Sequence, residues 1–177
     1  MSEINKKSRN GLIIALIAGI VICLGVAVWA LFFRGPKVVL APDYSPETEE
    51  PNAEAIEGDV TEKLESEVGG GAIRIDYLDQ VTVDLSDRVA YLQFANPGRS
   101  TQDMVLQIAV NGEVIVQSGT IKPGNQVRQL ELLPNAHKML SQGVYSDSKF
   151  VVLCYDQVSG EKAMLNTEAK ITLTVQE

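Results

Sequence analysis

The stretch that decides the fold is Met104-Val-Leu-Gln-Ile-Ala-Val110-Asn111-Gly112-Glu-Val-Ile-Val116. It contains two short apolar runs, both rich in β-branched residues, on either side of an Asn-Gly pair. Both central residues of a type I′ turn need a positive φ, so Asn-Gly between two apolar runs is a strong signal of a tight hairpin. The sequence therefore predicts two antiparallel strands joined by a turn at Asn111 and Gly112.

Similar patterns continue on both sides of this hairpin. Residues 73–77, 81–85 and 171–175 alternate apolar and polar side chains, as half-buried strands do. Residues 150–155 are continuously apolar, which predicts a central strand covered on both faces. Seven or eight such runs at a spacing of about ten residues favour an antiparallel β-sandwich, and a closed barrel is the alternative. The remaining runs are 89–94, 104–110, 114–116 and 127–132.

A resemblance supports the sandwich. The segment Leu140-Ser-Gln-Gly143-Val-Tyr145 resembles the tyrosine corner of immunoglobulin-like domains, in which a Tyr opening a late strand bonds back to nearby backbone. Phe94-Ala-Asn96-Pro97 and Ile121-Lys-Pro123-Gly124 resemble strand-ending turns of bacterial Ig-like modules, including those of the intracellular protease-inhibitor type. The resemblance implies an all-β, Ig-like antiparallel sandwich over residues 71–177, with Tyr145 in a structural role.

Residues 11–33 contain no charged side chain. A helix of that length is about 34 Å long, enough to cross a hydrocarbon core of about 30 Å. A cleaved signal peptide has a shorter apolar region and a small-residue cleavage site, which this run lacks. Lys6, Lys7 and Arg9 precede the run, whereas only Arg34 and Lys37 follow closely. The sequence thus predicts a basic cytoplasmic leader at 1–10 and an uncleaved signal anchor at 11–33.

Small residues recur every four positions within the predicted anchor. Such spacing lets two membrane helices approach closely, although Gly and Ala are common in membrane helices generally. The pattern indicates a candidate helix–helix contact face, through which the chain would form a homodimer or bind a partner helix; the alternative is the ordinary Gly and Ala content of a membrane helix. The residues of this face are Gly11, Ala15, Gly19, Cys23 and Ala27.

Residues 34–70 have the composition of a linker. They contain four of the seven prolines, and residues 38–68 hold ten acidic side chains against a single base, Lys63. Such a segment buries little apolar surface, and its charges repel one another. The sequence predicts a disordered, acidic, Pro-rich spacer. Its last part, 59–68, has the capping pattern of a short helix that ends at a glycine hinge.

Catalytic signals are weak. The topology of an anchored β-domain resembles that of sortases, which use a Cys, an earlier His and a later Arg. His137 and Cys154 occur in that order, but no Arg follows Cys154. Cys154 falls on the same face of its predicted strand as Phe150 and Val152, which predicts that it packs in the core, where a thiol is inert. We predict no catalytic residue and assign His137 to a solvated loop.

Ligand signals are weak too. Asp76, Asp79, Asp84 and Asp87 are close in sequence but lack the spacing of a calcium loop, so no metal site is predicted. The segment 156–161 is interpreted as a hairpin turn. The net charge of −8 and the absence of a basic stripe argue against nucleic-acid binding. No cofactor is predicted.

These observations favour a function of tethering and interaction. We expect a single-pass protein of a bacterial cell membrane, with a cytoplasmic N-terminus and an extracytoplasmic domain. The expected partners are the lipid bilayer and an envelope protein, within a secretion, conjugation or surface system. The alternatives are an inhibitor or chaperone of an exported enzyme, and an enzyme acting on wall or lipid.

Overall fold

The computed structural model describes Leu16, residues 19–21, Cys23, and residues 40–66 and 70–177. The chain divides into two units, Met1–Val39 and Leu40–Glu177. All described residues of the first unit have helical backbone, among them Gly19 and Cys23 of the predicted contact face. None of the helices formed by described residues has both the length and the apolar character that crossing a bilayer requires. The leader and most of the predicted anchor, including Gly11, Ala15 and Ala27, lie outside the described residues.

The second unit is all-β, as the alternating runs predict. Its described residues form nine strands and one short 3-10 helix, Ala136–Lys138. The strands are β1 (Ala53–Ala55), β2 (Asp76–Tyr77), β3 (Gln80–Asp84), β4 (Val89–Asn96), β5 (Gln102–Val110), β6 (Glu113–Gln117), β7 (Asn125–Glu131), β8 (Gly143–Asp156) and β9 (Lys162–Gln176).

Strand pairing differs from the predicted antiparallel sandwich. The strands form one curled sheet in the order β1-β7-β4-β3-β9-β8-β5-β6, and β2 also pairs with β4. The sheet is mixed, because β3 is antiparallel to β4 and parallel to β9. Since β3 pairs on both of its edges, it joins two groups of strands that would otherwise be separate sheets. A single bridge, Val116 to Leu132, marks where the far end of the sheet curls back.

The two predicted turns are present. Asn111 and Gly112 have φ angles of 52° and 86°, so the β5–β6 hairpin has the positive φ values that its turn requires. Between β8 and β9, the Asp156 carboxylate accepts hydrogen bonds from the N–H groups of Val158 and Ser159. The segment 156–161 is therefore the hairpin turn that the sequence predicts.

The main core lies inside the curl of the sheet. The Phe150 ring makes edge-on contacts with Phe94 and Tyr77, at centroid distances of 6.0 Å and 5.8 Å. Almost every residue of β5 is buried, on both faces of the sheet. A smaller apolar cluster, Val105, Leu153 and Tyr155, lies apart from the main core. Strands β5 and β8 are thus covered on both sides, as the continuous apolar run at 150–155 predicts.

The predicted disordered linker is wrong for residues 40–56, which we call the strap. The strap lies along the domain: Ala41 packs on the smaller cluster, and β1 extends the sheet by pairing with β7. The Thr48 carbonyl accepts a hydrogen bond from the Thr120 N–H, and the Glu50 N–H donates to the Thr120 carbonyl. These bonds join peptide groups, which every residue carries, so composition does not reveal them.

The predicted helix at 59–68 is not formed by its described residues, 59–66. The Asp59 carboxylate accepts the Gly98 N–H instead of capping a helix, and the Leu64 N–H donates to the Arg99 carbonyl. Tertiary contacts with the β4–β5 loop thus replace a helix that would be marginal alone. At the predicted hinge, Gly71 is packed so closely on Gln102 that an added Cβ would overlap its side chain.

Candidate interaction site at the open edge of strand β9

Strand β9 is paired on both edges along only part of its length. Its last residues, from Thr172 to Gln176, pair with β3. The Thr172 N–H donates to the Asp79 carbonyl at 2.7 Å, so the peptide groups of Thr172 face β3. Peptide groups alternate in direction along a strand. Those of Asn166, Glu168 and Lys170 therefore point to the same side as Thr172, away from β8.

The register of the neighbouring strands gives the same result. The Leu106 carbonyl accepts a hydrogen bond from the Ser118 N–H, so the peptide groups of even-numbered residues in β5 point away from β8. The peptide groups of odd-numbered residues in β5 therefore point towards β8. The β8 residues aligned with these odd positions are also odd-numbered, so their peptide groups bond to β5. The peptide groups of the even-numbered residues in β8 therefore point towards β9. Phe150 and Val152 are aligned with Ala169 and Thr167. The odd residues of β9 thus bond to β8, and the even ones face outward.

The strap reaches this outward edge at Lys162, whose N–H donates to the Asp43 carbonyl, and no described residue pairs with the edge from Ala163 to Ile171. The side chains of Asn166, Glu168 and Lys170 are exposed. Glu168 accepts a hydrogen bond of 2.8 Å from the Lys149 ammonium on β8. We call residues 166–171 the open edge. A strand edge with unpaired N–H and C=O groups is a template for another strand.

A cavity lies at the start of the same strand. It has a volume of about 600 Å³, and Ala163 and Met164 of β9 form part of its wall. Met164 and Val158 of the adjoining turn are fully exposed, at 106% and 97%. The remaining lining residues are Gly70, Gly71, Gln102, Asp156, Ser159, Glu161 and Lys162.

The charges of the cavity are Asp156, Glu161 and Lys162, which leave it with an excess of one negative charge. The N–H groups of Ser159 and Val158 and the Ser159 hydroxyl lower the pKa of Asp156 by hydrogen bonding to its carboxylate. Asp156 is thus ionised at neutral pH. Within the described part of the chain, Glu161 and Lys162 take part in no salt bridge.

Tyr145 lies near the start of β8, away from the cavity lining. Its hydroxyl accepts a hydrogen bond of 2.9 Å from the Ser141 N–H and donates one of 3.1 Å to the Ser141 carbonyl. These are bonds back to nearby backbone, of the kind that a tyrosine corner makes. The residue fixes the chain where it enters β8.

Cys154 and His137 are not joined by any hydrogen bond between described residues. Cys154 lies in the main core, fully buried, as predicted. Burial raises the pKa of its thiol to about 11, so the thiolate that a nucleophile needs is absent at neutral pH. His137 lies on the 3-10 helix, beside a second cavity of about 400 Å³. The charged residues lining that cavity are Asp87, Arg88 and Glu131.

Two of the four aspartates considered for calcium, Asp76 and Asp84, bind groups of the protein itself. Asp76 pairs with Arg74 at 3.2 Å. The Asp84 carboxylate accepts the N–H groups of Ser86 and Asp87 in the β3–β4 turn. Among the residues that the structure describes, no group of three His, Cys, Asp or Glu side chains could hold a metal ion.

The first half of β9 is not predicted from the sequence. Residues 162–170 read Lys-Ala-Met-Leu-Asn-Thr-Glu-Ala-Lys, with no regular alternation and few β-branched residues. The available signal was the adjoining turn, because a hairpin after 150–155 requires a returning strand that begins near Lys162. The chain matches no protein-family model, and no curated protein is significantly similar to it.

Proposed function

We propose that this protein is a membrane-anchored, non-enzymatic interaction module, and that its partner adds a strand to the open edge of β9. The observation that carries the proposal is the row of outward peptide groups at Asn166, Glu168 and Lys170. Strand addition supplies affinity through main-chain hydrogen bonds, and nearby side-chain pockets supply specificity. The site offers both, because the cavity adjoins the open edge along the same strand.

The proposed anchor is the charge-free run at 11–33, with residues 1–10 in the cytoplasm and the β-domain outside. Its support is sequence alone: the length matches a hydrocarbon core, and the bases before it outnumber those just after it. A domain held at a bilayer meets partners in two dimensions. Weak strand addition is then effective, because tethering raises the local concentration.

We also infer that the domain is related to Ig-like sandwiches in its connectivity. Two observations support this inference: β3 divides its pairing between β4 and β9, and the Tyr145 hydroxyl bonds back to Ser141. The two groups that β3 joins are β7-β4 and β9-β8-β5-β6. An Ig-like scaffold is used for many kinds of binding, so it agrees with the proposal without specifying a partner.

Site-specific photocrosslinking in the native membrane tests the proposal. A photoreactive residue replacing Lys170 should yield one adduct of defined mass. The matched control is Tyr91, which is also exposed but lies on a strand paired on both edges. A second variant, Glu168→Pro, removes one outward N–H and should abolish the adduct at position 170. Equal labelling from positions 91 and 170 would contradict an edge-specific partner.

Protease treatment of intact cells tests the topology. Residues 40–177 should be digested without lysis, because the domain is proposed to lie outside. A domain that is digested only after lysis would show that the proposed orientation is wrong. The anchor itself is tested by extraction: the chain should stay with membranes in alkaline carbonate, and a variant lacking 11–33 should not.

A further inference from the structure

The cavity and the open edge lie on one strand, so a single extended segment can reach both. From Glu168 back to Met164 is four residues, which at about 3.3 Å per residue is roughly 13 Å. A segment that bonds to the peptide groups of Lys170, Glu168 and Asn166 therefore reaches Met164 at the cavity wall, just before the point where Asp43 of the strap accepts the Lys162 N–H. A long side chain at that end of the segment can enter the cavity.

The shape of the cavity suits a long side chain. Its volume of about 600 Å³ exceeds what one side chain fills, and Met164 and Ala163 supply apolar wall for a methylene stem. Lys and Arg side chains place their stems on apolar surface and keep the charged head among polar groups. Those polar groups are available from Gln102, Ser159 and Glu161.

The charges of the cavity favour a cation. Among the charged residues of the lining, Asp156 and Glu161 outnumber Lys162. A partner side chain with a negative charge would meet this excess of carboxylates, whereas a positive one would be attracted.

We propose that the segment added to the open edge is a basic one, an extended peptide with a Lys or Arg that enters the cavity. This inference rests on the proposed function and specifies its partner. Main-chain bonds to β9 hold the segment, and the carboxylates of Asp156 and Glu161 select its basic residue. Lys162 opposes the binding and thereby limits the affinity.

The test uses the full chain in detergent micelles and blocked peptides of eleven alternating Thr and Val residues. In one series a single lysine is moved along the peptide; in a second, glutamate or norleucine replaces it. Affinity measured by calorimetry should be highest for one lysine position and about tenfold lower for glutamate there. Glu161→Gln should weaken lysine binding about threefold, and Lys162→Gln should strengthen it about threefold. Both effects should shrink in 0.5 M salt, since salt screens charges near the surface.

The outcomes separate the two proposals. Equal affinity for lysine, norleucine and glutamate peptides, with loss of all binding in Glu168→Pro, would overturn the basic partner and leave strand addition standing. Binding that survives in Glu168→Pro, or with peptides N-methylated on alternate amides, would overturn strand addition itself. Binding of lysine peptides that does not depend on the lysine position would show general charge attraction and would overturn the cavity as the selecting site.

Discussion

Two parts of the same sheet differ in whether other segments of the chain cover them. On one side, the strap covers the cluster of Val105, Leu153 and Tyr155, and its strand β1 pairs with β7. On the other side, the open edge of β9 pairs with no described residue. The covered side is built from a segment whose composition predicts disorder, and the open side from a long strand with exposed charged side chains.

Among the described residues, the strap bonds to β9 only at its start, where the Lys162 N–H donates to the Asp43 carbonyl, and it leaves the open edge unpaired. Open edges promote unwanted pairing, and proteins usually cover them or place charges on them. Here Glu168 and Lys170 lie on the open edge, which limits unspecific association. A charged but unpaired edge favours a selective partner over aggregation.

A pair of proline substitutions tests whether the two edges of β9 differ in their pairing. Thr167→Pro removes an N–H that faces β8 and should destabilise the fold by about 3 kcal/mol. Glu168→Pro removes an N–H that faces outward and should cost no more than about 1 kcal/mol, since proline is tolerated at sheet edges. Urea unfolding of both variants measures the difference. Equal destabilisation would mean that the edge at Glu168 is paired after all.

The covered part of the sheet predicts a pH dependence. The folded pKa of Cys154 is raised to about 11 from an ordinary 9.0, so the folded state favours the neutral thiol. Its contribution to stability is therefore complete below pH 9 and is lost as the pH rises towards 11. The loss amounts to about 2–3 kcal/mol.

The matched variant for this effect is Cys154→Ala. Stability measured by urea unfolding between pH 8 and pH 11 should fall less steeply in the variant than in the parent chain. A thiol reagent should also modify Cys154 only on unfolding. Rapid reaction of the native protein at neutral pH would show that this core position is accessible.

The strap can be displaced at one glycine. A Cβ added to Gly119 would lie 2.9 Å from the Glu50 nitrogen and from the Thr48 oxygen, both of them backbone atoms. Gly119→Ala should therefore destabilise the domain by about 2 kcal/mol and increase proteolysis within 40–56. Gly112→Asn is the comparison variant: nothing lies within 4 Å of its Cβ position, so its cost is limited to the positive φ of the hairpin turn and cleavage within 40–56 should not increase. An unchanged cleavage pattern would contradict a strap held at Gly119.

The smallest expected effect concerns a single hydrogen bond of the strap. The Tyr155 hydroxyl donates to the Pro42 carbonyl at 2.9 Å. Tyr155→Phe keeps the ring in its cluster and should cost about 1 kcal/mol. Hydrogen exchange should quicken near Pro42, at the Lys162 N–H that donates to Asp43, and not in β1. Faster exchange throughout the strap would show that it is released as one unit.

The sequence predicts the strands well where side chains decide the structure. The alternating runs and the Asn111-Gly112 turn locate β3 to β7 to within a few residues, and the apolar run at 150–155 identifies the doubly covered strand. The parallel pairing of β3 with β9 is not predicted, because it brings together residues 92 positions apart, such as Gln80 and Thr172, while the other strand pairs among the described residues are antiparallel. Local patterns carry no information on such a pairing.

The candidate site was the least predictable part. The open edge depends on which peptide groups face outward, and this follows from the register with β3 and β8, not from any residue type. The cavity joins Gly70 and Gln102 to the β8–β9 turn, although these segments are far apart in sequence. Composition also predicts the strap wrongly. Its acidic side chains predict repulsion and disorder, whereas its peptide groups bond to the sheet.

The buried carboxylate of Glu50 has a consequence for how this sequence can vary. It accepts the Gly119 N–H at 2.8 Å and the Asn52 N–H at 3.1 Å, at the point where the strap crosses the loop after β6. A change at position 50 or 119 alone leaves a buried polar group unpaired or a Cβ against backbone. The two positions should therefore change together over evolution: relatives that retain the strap should keep both Glu and Gly, and those that lose it should be free to replace both.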